Sequence, residues 1–147
     1  MEARSDSPRP PRPLVRFVGL VNRGEYWESH EVLEDAWRRE GSAFYHGLIL
    51  YASAFVHARR GTPHGIRAQL AKAEEALAGH PSPYLGLDVD AIREHARRTR
   101  RRVEERSRGR EADREVDWSE VLDLPELELS PDRIRGDEAE LGGGGRP

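Results

Sequence analysis

The chain has 147 residues, 36% of them hydrophobic and 35% charged, with a formal net charge of -3. That length is about one domain, the apolar share is too small for a chain packed from end to end, and no global basic excess marks a dedicated nucleic-acid binder. Cysteine is absent, which excludes disulfides, thiolate metal sites and thiol nucleophiles together.

Residues 1–13, MEARSDSPRPPRP, mix proline with charge and lack apolar periodicity, so they read as a disordered lead. From Leu14 the pattern changes: Leu14, Phe17, Val18 and Val21 form one face of a first helix, stopped by Asn22-Arg23-Gly24. The second helix, EYWESHEVLEDAW and the arginines after it, ends at Gly41, where cations suit the negative end of the helix dipole and glycine takes the left-handed cap. Ser42 can cap a third helix from Ala43 to Arg60 that is apolar almost all round and therefore belongs at the centre of the domain. After Gly61, Thr62-Pro63 reads as N-cap and first helical position, and Ile66, Leu70, Ala73 and Leu77 mark the buried stripe of a fourth helix. The short links make these helices antiparallel neighbours. HPSPYLGLD is a proline-punctuated loop with Tyr84 and Leu85 as anchors, and Asp88 can cap a fifth helix running to about Arg106. No segment alternates with period two, so the fold class is all-α: one compact domain of about five helices over residues 14–106, without the self-similarity of a helical repeat.

Residues 107–147 carry six arginines against twelve acidic residues and end in a glycine run. Within this acidic tail, VDWSEVLDLPELEL at 116–129 has two readings: a segment docked in a groove of this or another chain, or a disordered tail with scattered leucines. No stretch is apolar for long enough to span a bilayer and no signal-peptide pattern opens the chain, so the expected setting is the cytoplasm, away from membranes. A homo-oligomer stays open.

The second helix also carries the candidate chemistry. On a helical wheel Tyr26, His30, Leu33 and Trp37 share a sector with Glu34 beside it, and Trp37 and Leu33 are expected to be buried against the third helix. On the third helix His46, Leu50, Ser53 and His57 line up, flanked by the small residues Gly47 and Ala54. If the two form a hairpin about Gly41, residues whose numbers sum to about 83 face each other. His46 then lies near Trp37, and His57 within a turn of Tyr26 and His30. A cluster of His30, Glu34 and His57 could hold a divalent metal such as zinc, iron or manganese and leave a position for reactive water. However, HEVLE has glutamate where the zinc-protease motif has its second histidine, and no Glu-x-x-His pair occurs. The alternative is a buried polar network that fixes helix packing.

No serine sits in a Gly-x-Ser-x-Gly elbow, and no phosphate loop or dinucleotide motif is present. The stretch REHARRTRRRVEER, from Arg93 at one end to Arg106 at the other, could bind a phosphate backbone. Without aromatic residues to stack bases, it reads better as a solvated helix end whose charge pairs with the acidic tail.

Three strings, FVGLVNRGEYWESHEVLEDAW, FYHGLILYASAFVHARRGTPHGI and PSPYLGLD, together resemble the small bacterial and archaeal domain-of-unknown-function family 309 over residues 14–95. The resemblance implies a single all-helical domain and no established activity. It also implies a shared pattern that here includes Asn22, Gly24, Tyr26, His30, Glu31, Glu34, Trp37, Gly47, His57, Tyr84, Gly86 and Asp88. Leu50 stands where the family usually has glutamine, and Thr62 where it usually has asparagine. Three functions therefore follow from the sequence: a non-catalytic helical scaffold or interaction domain, a metal-dependent, hydrolase-like enzyme on His30, Glu34 and His57, and nucleic-acid binding through the arginine-rich helix.

Overall fold

Helix boundaries follow the local chemistry closely. In the computed structural model, which describes residues 10–108 and 116–130, the elements are α1 (Arg12–Asn22), α2 (Tyr26–Glu40), α3 (Ala43–Arg60), α4 (Pro63–Leu77), α5 (Val89–Arg106) and a single turn, α6 (Trp118–Val121). The expected lead at residues 1–13 falls mostly outside the described residues, as does the glycine run of the tail. Helix α1 begins two residues before Leu14, because the Pro11 carbonyl accepts from the Leu14 and Val15 N–H groups. Gly41 and Gly61 take the left-handed conformation that ends α2 and α3. The Ser42 hydroxyl caps α3 by accepting from Tyr45 N–H, and the Asp88 carboxylate caps α5 by accepting from Ala91 N–H at 3.0 Å. Thr62 departs from expectation: its hydroxyl makes no cap bond to α4 and is turned back to His57.

Helix α3 is the central element, packed against α2 on one side and α4 on the other, with α1 on α2 and α5 on α4. Its aromatic residues Phe44, Tyr45, Tyr51 and Phe55 are all essentially inaccessible. Gly47 lets α4 come close, since a Cβ there would stand 2.7 Å from Leu77 Cδ2. Gly47, on the flank of the His46 stripe, thus receives α4, while His46 itself faces α2. Arg100 joins α5 to α4 through two bonds to the Glu74 carboxylate, at 2.6 and 3.2 Å, a bidentate arrangement stronger than a single exposed ion pair. Among the described residues there is no strand, only the isolated bridge between Tyr84 and Leu87.

The loop before α5 is a tight turn over that bridge. Tyr84 and Leu87 exchange both backbone bonds, and the two residues between them, Leu85 and Gly86, have φ of 52° and 87°. Glycine accepts such a conformation readily; a leucine there is strained. Burial of Tyr84, Leu85 and Leu87 in the core offsets that cost, and the turn leaves the Gly86 carbonyl to accept from Ser130 N–H.

Candidate functional site

The residues singled out on α2 and α3 are real neighbours of the core, but each serves a different contact. The buried stripe of α2 is Tyr26, Ser29, Leu33 and Ala36, which rotates the helix so that His30 and Trp37 sit at its edge, half-buried. The rotation arises because α1 and α3 both cover α2, so the buried face is centred between them. The hairpin register holds: Trp37 stacks on His46 with ring centroids 4.4 Å apart, and Tyr26 packs on Phe55 at 5.6 Å. Trp37 is therefore a flanking residue, whereas Leu33 is fully buried.

His30 stacks on Trp27, which is 48% exposed, and its Nδ1 is buried without a hydrogen-bond partner. Glu34 pairs with Arg38 on its own helix at 3.2 Å. His57 Nδ1 bonds the Thr62 hydroxyl at 2.9 Å, and its ring fills the space over Gly65 of α4. Burial, reinforced by the Arg60 charge, holds the His57 pKa below its ordinary value. Tyr26 lies under the Arg59 guanidinium, 5.0 Å from the ring centroid; burial raises its phenol pKa and Arg59 opposes the rise. Asp88 is occupied as the α5 cap and also accepts from the Ser82 hydroxyl. Among the described residues, no group of three or more His, Cys, Asp or Glu side chains is placed to hold a metal ion. Arginines of α5 are paired within the helical body: Arg97 and Arg98 with Glu94, and Arg100 with Glu74 of α4 and with Glu104.

The most elaborate polar constellation joins the helical body to the C-terminal segment. Residues 116–130 lie across the body as an arm, with Trp118, Leu122 and Leu127 buried as anchors. Asn22, the last residue of α1, reads the arm's main chain in both directions. Its Nδ2 donates to the Leu127 carbonyl at 2.8 Å, and its Oδ1 accepts from Leu127 N–H at 2.7 Å. Three residues further on, Ser130 N–H donates to the Gly86 carbonyl at 2.8 Å. The third tie is His95, whose Nε2 lies 2.9 Å from the Asp123 carbonyl while its Nδ1 lies 2.7 Å from the Tyr51 hydroxyl. A carbonyl can only accept, so Nε2 carries the proton and neutral Nδ1 accepts from the Tyr51 O–H.

This chain of bonds is tuned by burial. Tyr51 is 1% exposed, and burial pushes its phenol well above the ordinary range, so it acts as a neutral donor. Burial likewise lowers the His95 pKa, with the bond to the Asp123 carbonyl opposing the shift. Between arm, loop and α5 runs an open cleft of about 700 Å³, walled by Asp88, His95 and Arg98 on the body and by Asp123 and Leu127 on the arm.

A helical wheel marks neither Tyr51 nor His95, nor the contact that Asn22 makes. Asn22 did stand in the first motif as a helix stop; nothing local marks His95, one residue in an arginine-rich run.

Fold and site define a small all-helical domain that carries an extended C-terminal arm in a groove made by α1, α5 and the loop between α4 and α5. Residues 14–69 match the family model described as Domain of unknown function (DUF309), a span that covers the first two of the three motifs, with PSPYLGLD beyond it. No curated protein matches the chain. None of the described helices is long and apolar enough to cross a membrane.

Proposed function

We propose that this chain is a non-catalytic helical interaction domain whose groove binds an extended peptide segment, with its own residues 116–130 as the segment held in cis. One observation carries the reading: Asn22 grips both the N–H and the C=O of Leu127. That grip, with those of Gly86 on Ser130 and His95 on Asp123, is to main chain and would serve any extended segment. Selection then falls to the apolar anchors at the spacing of Trp118, Leu122 and Leu127, the division of labour used by proteins that recognise extended peptides. The segment's acidic character also suits a groove bordered by the arginines of α5. The cytoplasm is the setting we propose.

The test uses the full chain. Trp118→Ala weakens the arm's own docking, so a labelled peptide of residues 116–130 should bind that variant about tenfold more tightly than wild type, because an occupied groove lowers apparent affinity by the fraction that is free. No binding to the variant at about 1 mM peptide would count against the reading.

A second reading, a metal-dependent hydrolase-like site at His30, Glu34 and His57, draws on the buried His30 Nδ1 that has no hydrogen-bond partner. Its test is a rise in melting temperature with added zinc or manganese that vanishes in His30→Ala. Equal responses of wild type and variant would remove it.

A further inference from the structure

Beside the peptide groove, α5 and the arm enclose a second, smaller pocket of about 330 Å³, between Arg98, Thr99, Arg101 and Arg102 of α5 and Val121 and Leu122 of the arm. We propose that this pocket binds a small phosphate monoester through Arg101, Arg102 and Thr99, with the docked arm as its second wall. The site goes beyond the peptide reading and requires no segment in the groove other than the chain's own. Helical spacing brings its cations together. Arg98, Arg101 and Arg102 stand at i, i+3 and i+4 of one helix, where like charges are surface neighbours and repel. Arg98 shares Glu94 with Arg97, which holds the shorter bond, 2.6 Å against 3.6 Å. Arg101 and Arg102 make no hydrogen bond or ion pair among the described residues, and Glu94 acts on Arg101 only through its longer-range field.

Two carboxylates, Glu105 and Asp123, also border the pocket; both are exposed, and neither forms an ion pair among the described residues. Three guanidinium groups against two carboxylates leave the rim positive. A phosphate dianion relieves the repulsion between the arginines and matches the fork of N–H donors that each presents. Thr99 supplies a donor from the buried side. It is 5% exposed and borders the pocket, yet its hydroxyl makes no hydrogen bond among the described residues. The other two buried polar side chains are both engaged, Ser29 with the Tyr26 carbonyl and Ser42 as the α3 cap. A buried hydroxyl without a partner is costly, and a phosphoryl oxygen can accept its proton.

Val121 and Leu122 face the same space from the arm. A cationic side opposite an apolar one suits a phosphate carried on an organic group, and the volume is at the small end for ligand pockets. Because one wall is the arm, ligand and arm are linked: a ligand that binds the closed pocket favours docking, and release of the arm weakens the ligand by the same factor.

The experiment titrates the full chain with phenyl phosphate at constant ionic strength and about pH 7.5, where a phosphate monoester is a dianion, and follows the amides of α5 and the arm by NMR. Saturable binding with a Kd of about 1 mM or tighter is expected. The double variant Arg101→Gln/Arg102→Gln, changed at two exposed positions, should bind at least about tenfold more weakly. Thr99→Val, which keeps the volume, should lose about threefold or more. At about ten times Kd the ligand should raise protection of the Leu127 and Ser130 amides, both bonded across the groove, by about tenfold. Leu127→Asp puts a charge at a buried arm anchor; with its arm amides unprotected, it should bind about tenfold more weakly or worse. Inorganic phosphate, which lacks the apolar contact, should bind wild type about tenfold more weakly than the ester. No saturation by about 10 mM, or undiminished binding to the double arginine variant, would overturn the proposal. Binding that leaves arm protection unchanged and persists in Leu127→Asp would overturn it as well, because the arm would then be no wall of the site. Equal affinity for inorganic phosphate would overturn the ester as ligand. A short single-stranded RNA that binds wild type and Leu127→Asp alike, and more tightly than phenyl phosphate, would overturn it in favour of a phosphate backbone.

Discussion

Replacing Asn22 tests the arm at its most specific point. Asn22→Ala deletes two hydrogen bonds of 2.7 and 2.8 Å to partly buried main-chain groups of Leu127. At about 0.5 to 1.5 kcal/mol each, their loss weakens arm docking by about 1 to 3 kcal/mol, or roughly 5- to 150-fold in the docking equilibrium. Asn22→Asp is the sharper probe. A carboxylate still accepts from Leu127 N–H but cannot donate, so it turns oxygen against the Leu127 carbonyl. At the C-terminal end of α1 it also meets the helix dipole unfavourably, by about 0.3 to 1 kcal/mol. It should therefore release the arm at least as fully as alanine, despite being the closest substitute in shape. Exchange at the Leu127 and Ser130 amides reads docking, and chemical denaturation with α3 amide exchange reads the body. Both variants should lose protection in the arm while α3 keeps most of its own. Arm protection retained within about twofold in both variants would refute the grip of Asn22 on Leu127, as would opening of α3 in step with the arm, since arm and body would then be one cooperative unit.

Leu33→Ala should cost about 2 to 5 kcal/mol because the side chain is fully buried between helices. Trp37→Ala, at the edge of the same face, should cost clearly less in the same denaturation series, and an equal or greater loss would show the helix to be rotated toward it. Gly47→Ala should destabilise by about 1 to 3 kcal/mol despite alanine's better helix propensity, because the added carbon meets Leu77 at 2.7 Å; a rise in melting temperature would show that α4 can retreat. His30→Phe keeps a ring on Trp27 and removes a buried nitrogen without a partner, so denaturation should show a change within about 1 kcal/mol or a gain. A loss above about 2 kcal/mol would mean that Nδ1 has a partner in solution.

Features that depend on neighbours along the chain can be read from the residues alone. The bounds of α3 are legible because a glycine and a capping serine precede it and a glycine follows it, and these act within a single turn. The hairpin register is legible for the same reason: a two-residue link leaves little choice, so Trp37 meets His46 and Tyr26 meets Phe55. Which partner each helix face meets depends on packing in three dimensions. His57 obeys the same wheel as His46, yet it serves the turn into α4, because Thr62 is close at hand and Gly65 leaves room for the ring. Asn22 finds its partner 105 residues away, and Tyr51 finds His95 at a distance of 44. Such pairs leave no periodicity to read: each partner obeys its own helix or loop, and their bond exists only once five helices and an arm have set their directions in space.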